Sequence, residues 1–335
     1  MKIIPLIVIN LLMIFFINKF RIIISQKLRL IDVPDKIRKF HKSQTPLLGG
    51  MMIFTTLILL NIHMFLFDQY SKVKLIIFIS SSLCFLLGLI DDILKLSYKY
   101  KFIFLSLFFS FFITLEPNLQ ITKIYFSTLD KYVYLNDYSI LFTIICLLLL
   151  SNAINLIDGI NGLCISISII ILSWILITFQ NSNFIYIIII SLILILAFNL
   201  KNYVFLGDSG SLLLGSLIGF LLINNYNNET VFSKFPVENI FIVLMIPGLD
   251  MLRVFILRLL KNKNPFSSDR NHLHHLLLDK NIGLYKTLLI ILSLYILPII
   301  MNSITNIKPI IIIISSIIIY VIFILKIKSH RININ

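Results

Sequence analysis

The sequence predicts an all-α, polytopic membrane protein of about eleven transmembrane helices, on three observations. The chain of 335 residues is 59% hydrophobic and only 13% charged, so water is not its main solvent. Its apolar residues come in blocks of about 15–23, long enough to cross a bilayer as helices. Strand-like alternation is absent, and only helices or closed barrels satisfy their own backbone in lipid.

Apolar runs between polar breaks place the helices near 3–20, 47–67, 74–90, 103–115, 138–154, 160–179, 184–200, 211–224, 238–260, 285–303 and 307–327. The first run ends in the bulky, basic Lys19-Phe20-Arg21 with no small-residue cleavage signal, so it reads as an anchor. Pro247-Gly248 fall inside the ninth run, where a break or kink is expected. Cys84, Cys146 and Cys164 all lie within apolar runs and read as core filler. With no soluble domain, repeat or low-complexity linker, residues 1–335 read as a single integral membrane domain.

A net charge of +14 could suggest nucleic acid, but the basic residues sit in short segments between apolar runs. Topology and anionic lipid or substrate explain them better, so no nucleic-acid partner is expected. One set of alternate loops holds Arg21 to Lys42, then Lys95, Lys99 and Lys101, then Lys201, then Arg258 to Lys286, and the tail. It outweighs the other set roughly three to one, which puts the N-terminus outside and the C-terminus in the cytoplasm.

Five polar clusters fall on the cytoplasmic side of this topology. The first, Asp32 to His41, is a basic loop in which Arg38 and His41 suit phosphate groups, topology-setting charge being the alternative. The second is Asp91-Asp92, a carboxylate pair at a membrane boundary that needs a compensating cation. Mg²⁺ with phosphate would supply one; an i,i+4 ladder from Asp91 to Lys95 and Lys99 would be a purely structural answer.

The third cluster, Asn152, Asn155, Asp158 and Asn161, brings amides and a carboxylate to nearly one side of a helix end, for a ligand or for interhelical hydrogen bonds. In the fourth, Gly207-Asp208-Ser209-Gly210-Ser211 opens a helix whose free N–H groups suit an anion, with Asp208 available to a metal; a plain N-cap is the alternative. The fifth includes Asp250 and Arg253, which could form an intramembrane ion pair. It ends in Asp269-Arg270-Asn271-His272-Leu273-His274-His275. Three histidines invite zinc, but no cysteine accompanies them, and imidazoles beside Arg270 suit phosphate equally well.

From Asp32 to about Leu278 these motifs, in this order, resemble the polyprenyl-phosphate N-acetylhexosamine-1-phosphate transferases. The 269–275 run is similar to the branch that starts O-antigen, enterobacterial common antigen or teichoic acid synthesis. The resemblance implies a bacterial inner-membrane catalytic domain with its active site facing the cytoplasm. It also implies a UDP-N-acetylhexosamine donor, undecaprenyl phosphate as acceptor, Mg²⁺ or Mn²⁺, and release of UMP. Membrane lipid is a further partner, and a homodimer is compatible with the reading.

Carried over by position, Asp91 and Asp92 match the family's aspartate pair, with roles in orienting the acceptor phosphate and helping the metal. Asp208 matches a direct metal ligand, and these three aspartates form the expected catalytic and metal set. Phe205 matches an aromatic near uracil, Asn155 and Asp158 a nucleotide-side motif, and Lys99 a basic residue near the diphosphate. His272, His274 and His275 match a sugar-phosphate motif; Arg270, Arg38 and His41 are further substrate contacts on their own chemistry, as groups that suit phosphate. Asn161 stands where the family usually has aspartate; an amide can hydrogen-bond a uracil or sugar but cannot act as a base. The competing class is a transporter or channel, against which no inverted repeat is visible and the polar groups gather at one face.

Overall fold

A computed structural model of the chain describes residues 3–32, 44–67, 71–179, 183–232, 235–265 and 270–332. Helix dominates. Among the described residues eight helices are long and apolar enough to span a membrane, a bent pair offers a ninth, and two more apolar helices are shorter. Together they match the eleven runs of the sequence. The chain groups into two compact units, residues 1–121 with 137–227 and residues 122–136 with 228–335.

The first unit opens with α1 (Ile3–Lys19), bent by 70° into the short α2 (Arg21–Leu28). A two-residue antiparallel pair, β1 (Ile31–Asp32) with β2 (Thr45–Pro46), leads into α3 (Gly49–Leu66). Then follow α4 (Lys72–Leu94), α5 (Tyr98–Leu115), α6 (Ser139–Ile157), α7 (Leu163–Phe179), α8 (Asn183–Leu200) and α9 (Gly207–Phe232). The spanning window of α9 is 83% buried, which makes it the central helix. Its small residues let neighbours approach closely, as in other membrane bundles. A Cβ on Gly215 would stand 2.7 Å from the Ser151 Cα in α6, and one on Gly88 in α4 only 2.4 Å from the Asp208 carbonyl oxygen.

Polar side chains tie the helices where lipid offers no alternative partner. Asn10 of α1 donates to Ser191 of α8 and accepts from Thr56 of α3.

In the second unit, β3 (Lys123–Phe126) and β4 (Lys131–Tyr134) form an antiparallel hairpin. The buried Glu238 at the start of α10 (Val237–Leu260) accepts the backbone N–H and hydroxyl groups of Ser127 and Thr128 in its turn. α11 (Leu273–Leu278), α12 (Leu284–Ile304) and α13 (Pro309–Ile332) complete it. Ile242 packs with Ile312 and Ile313 in its core.

The break expected at Pro247-Gly248 is absent: α10 runs without interruption from Val237 to Leu260. Proline has no N–H, so the carbonyl four residues earlier, that of Val243, loses its helical donor. The buried Tyr295 of α12 supplies a replacement, its hydroxyl donating to the Val243 oxygen at 2.5 Å. A neighbouring helix thus satisfies the freed carbonyl, and α10 stays whole.

Candidate active site

In the first unit the C-terminal ends of α4 and α6 meet the N-terminal ends of α5 and α9. Asp91 and Asp92 are both buried on the last turn of α4, which stops at Leu94 because Lys95 adopts a left-handed φ of 55°. The chain therefore turns before Lys99, and the ladder from Asp91 through Lys95 to Lys99, the structural alternative weighed from the sequence, does not form. Lys99 lies exposed on the first turn of α5. Two residues on, the Lys101 Nζ stands 2.8 Å from Asp91 Oδ2 and 3.0 Å from Asp208 Oδ2. Two carboxylate oxygens from distant helices thus converge on one cationic point.

Asp92 has a different partner set. Its Oδ1 accepts the Asp208 N–H at 2.9 Å and its Oδ2 the Ser209 N–H at 3.1 Å, so α4 caps α9. Two of the N–H groups expected to seat an anion at the start of α9 are therefore already engaged, by a carboxylate that the positive helix end favours. The approach depends on Gly88, above, and on Gly207, whose φ of +74° suits glycine and whose missing Cβ would stand 2.6 Å from Asp92 Oδ2.

Asn155 Nδ2 donates to Asp208 Oδ1 at 3.1 Å and to Ser211 Oγ at 2.9 Å, fixing the second oxygen of Asp208. Asp158 ends α6. Burial, and then the carboxylates of Asp208 and Asp92, hold its carboxyl well above the usual range. Asn161 donates to Asn202 Oδ1 at 2.6 Å, an amide pair on the adjoining turn. Phe205 is held by an extended ladder: its N–H donates to the Pro46 oxygen at 2.8 Å and its carbonyl accepts the Gly49 N–H at 2.9 Å. Arg38 and His41 lie outside the described residues.

The second unit holds the histidines. Asp250, buried in α10, gathers donors on both oxygens. Oδ1 accepts from Arg253 at 2.6 Å, Tyr320 at 2.9 Å and the Leu273 N–H at 3.0 Å, while His272 Nδ1 lies 2.8 Å from Oδ2. The Asp250–Arg253 ion pair weighed from the sequence therefore forms, but as part of a larger network. Arg258 Nη2 approaches His272 Nε2 at 3.5 Å. A guanidinium only donates, which makes Nε2 the acceptor and assigns the ring hydrogen to Nδ1.

His274 is buried, and its Nε2 has no hydrogen-bond partner among the described residues. Burial, and then neighbouring His275, holds it neutral, well below the usual histidine range. His275 is pushed down to about 4 by burial and then by the Arg270 charge. Arg270 itself pairs with Asp279 at 2.6 Å.

The sequence named Lys101 and Ser211 within their clusters without giving either side chain a role in the site, and it did not point to Tyr320. A signal for Lys101 existed in the basic pair Lys99 and Lys101, but choosing between them required knowing where α4 stops. Tyr320 sits in an isoleucine-rich run with no local signal at all.

Comparison with known proteins supplies independent findings. The sequence model of glycosyl transferase family 4 matches residues 74–225. The undecaprenyl-phosphate alpha-N-acetylglucosaminyl 1-phosphate transferase of Thermotoga maritima is 31% identical over 283 residues, covering 83% of each chain. A probable undecaprenyl-phosphate N-acetylglucosaminyl 1-phosphate transferase of Bacillus subtilis is 31% identical over 76% of this chain and 71% of its own. The Escherichia coli K12 transferase with the same name as the Thermotoga protein is 26% identical over 80% of this chain and 73% of its own.

Proposed function

Because the chain belongs to glycosyl transferase family 4, we propose that it transfers N-acetylhexosamine-1-phosphate from a UDP-N-acetylhexosamine to undecaprenyl phosphate and releases UMP. The observation that carries this reading is the convergence of Asp91 and Asp208 on Lys101 at the N-terminal end of α9. Such a site has acidic groups for a cation and a cation for phosphate. The product would begin a cell-surface polysaccharide such as O-antigen or teichoic acid, made at the cytoplasmic face of a bacterial inner membrane. N-acetylglucosamine is the sugar named for the relatives and the first donor to test.

Mg²⁺ fits this donor set. Asp91 Oδ2 and Asp208 Oδ2 already share one cationic partner, and both are hard oxygen ligands. Among the described residues no group of three or more His, Cys, Asp or Glu side chains gathers to hold a metal. That pattern suits an ion whose remaining ligands are substrate phosphate and water, the usual habit of Mg²⁺. When bound there, the ion would neutralise the diphosphate and the charge that develops as it is cleaved.

The reaction is a displacement at phosphorus. An oxygen of the lipid phosphate attacks the β-phosphorus of the donor, the bond from that phosphorus to the bridging oxygen breaks, and its electron pair leaves with UMP. Asn155 and Lys101 hold Asp208 in position, and Asp92 fixes α9 against α4. Lys101 places a positive charge where phosphate charge must be accommodated. Phe205 offers a ring to the uracil. The Nε2 of the neutral His274, which has no hydrogen-bond partner among the described residues, is suited to hydrogen-bond the sugar phosphate.

The test is UMP release by the purified protein from a panel of UDP-N-acetylhexosamines, with and without undecaprenyl phosphate and Mg²⁺. Release that requires both, and that stops on chelation and returns with Mg²⁺, supports the proposal. Release that ignores the lipid phosphate, or none from folded protein with any donor, defeats it.

A further inference from the structure

We infer that Tyr320 is a positioning residue for the proposed reaction, its single hydroxyl locking the network that orients the His272 ring and seats the start of α11. The inference rests on reading α11 as the part of the enzyme that recognises the donor's sugar phosphate.

α13 is mostly a lipid-facing helix. Ile319 and Val321, on either side of Tyr320, are 54% and 47% exposed, whereas Tyr320 itself is only 3% exposed. Phenylalanine would fill the same space, so packing alone does not call for a hydroxyl at mid-span. A buried phenol O–H also needs partners, and this one has two. It accepts from Arg253 Nε at 3.0 Å and donates to Asp250 Oδ1 at 2.9 Å. The hydroxyl therefore bridges both members of the 2.6 Å ion pair.

What that pair does next makes it a positioning device. Asp250 holds the His272 ring through Nδ1 and accepts the first N–H of α11 from Leu273. Arg253 donates to the Asn271 carbonyl oxygen at 2.6 Å, so the residue before His272 is gripped as well. Ring, loop and helix start are thus all fixed by one carboxylate and one guanidinium, and Tyr320 restricts the rotation of both. Without the hydroxyl, Asp250 keeps its charge partner but loses one of three donors on Oδ1, and Arg253 Nε loses its acceptor.

The experiment compares full-length wild type, Tyr320→Phe, Arg253→Gln and the double variant in detergent, by two readouts. In steady-state UMP release, Tyr320→Phe is expected to raise KM for the nucleotide sugar about tenfold while kcat and KM for the lipid phosphate stay within about twofold. Arg253→Gln should act in the same direction, and the double variant should fall well short of the product of the two effects.

Diethylpyrocarbonate modification followed by mass spectrometry needs no turnover. His272 should react about tenfold faster in Tyr320→Phe than in wild type, relative to His275, once the ring is released. An unchanged KM with unchanged His272 reactivity overturns the inference. So does a loss confined to kcat, which marks a merely structural tyrosine. If wild type makes no UMP yet His272 is released in Tyr320→Phe, the proposed reaction fails and the positioning role stands.

Discussion

The ammonium of Lys101 stands 3.0 Å from the Asp208 carboxylate across 107 residues of sequence. Each group lies at the first turn of its own helix, and the same ammonium also holds Asp91, ten residues back in sequence, at 2.8 Å. The pair exists because α4 turns sharply at Lys95 and brings α5 back against the N-terminal end of α9. Replacing Lys101 by methionine removes the charge while keeping most of the stem. UMP release should then fall about ten- to a hundredfold, the effect of losing charge-assisted bonds. Asp208→Asn should lower it on the order of a thousandfold or more with the protein still folded, since it removes the charge proposed to bind the metal. Steady-state assays alongside size-exclusion profiles test both; near-wild-type turnover in Asp208→Asn would remove that residue from the mechanism.

Gly88 should tolerate nothing larger than hydrogen. An alanine Cβ would lie 2.4 Å from the Asp208 carbonyl oxygen and 2.5 Å from the Ser209 Cα, both backbone atoms with no rotamer to escape into. Gly88→Ala should push α9 away from α4 and disturb the Asp92 cap, at a cost in turnover on the order of a hundredfold. The neighbouring exposed Leu86→Ala makes a control for helix α4. Equal activity in the two variants would contradict the close approach.

Acid should weaken the histidine segment. His274 is held well below the ordinary histidine pKa, and His275 is pushed down to about 4, by burial first and neighbouring positive groups second. An unfolded chain takes up these protons near pH 6.5, before the folded one does. The stability contributed by the neutral rings is therefore complete above about pH 6.5 and is lost as pH falls toward 4. Melting temperature in detergent should drop between pH 7.5 and pH 5, and less steeply in His275→Gln. Parallel slopes for the two proteins would refute the assignment.

Tyr295→Phe should strand the Val243 carbonyl beside Pro247. The loss is about 1–3 kcal/mol, the usual penalty for a buried acceptor left without a donor. It should appear as a lower melting temperature, and a companion Pro247→Ala, which restores the N–H, should recover most of it. Failure of the second substitution to compensate would show that the tyrosine contributes by packing alone.

Much of this architecture was legible because lipid imposes simple rules. The eleven apolar runs correspond to eight long helices, one bent pair and two shorter helices among the described residues, and the aspartate pair, Asn155 and Asp208 came together as their positions at run ends implied. Illegible features depended on geometry at single points. Pro247 reads as a break, but whether a proline opens a membrane helix is decided by a partner, here Tyr295, nearly fifty residues away. α11 is only six residues long and leaves no periodicity to detect. The choice of Lys101 over Lys99 turned on one left-handed residue, Lys95, whose side chain gives no hint of that conformation.

The long separation within the carboxylate site sets an order of events during synthesis. At about 5–20 residues per second, the ribosome needs roughly 5–20 s to travel from Asp91 to Asp208. Over that interval Asp92, at the end of α4, waits for the Asp208 and Ser209 N–H groups, which have not been made. Lys101, which emerges within about two seconds of Asp91 at that pace, is the cation that pairs with it in the fold. It can shelter Asp91 while α9 is awaited, whereas Asp92, whose partners are backbone amides of α9, cannot be satisfied until that helix arrives. Nascent chains that end before Ser209 should therefore keep one membrane-edge carboxylate exposed to quality control, and longer ones should not.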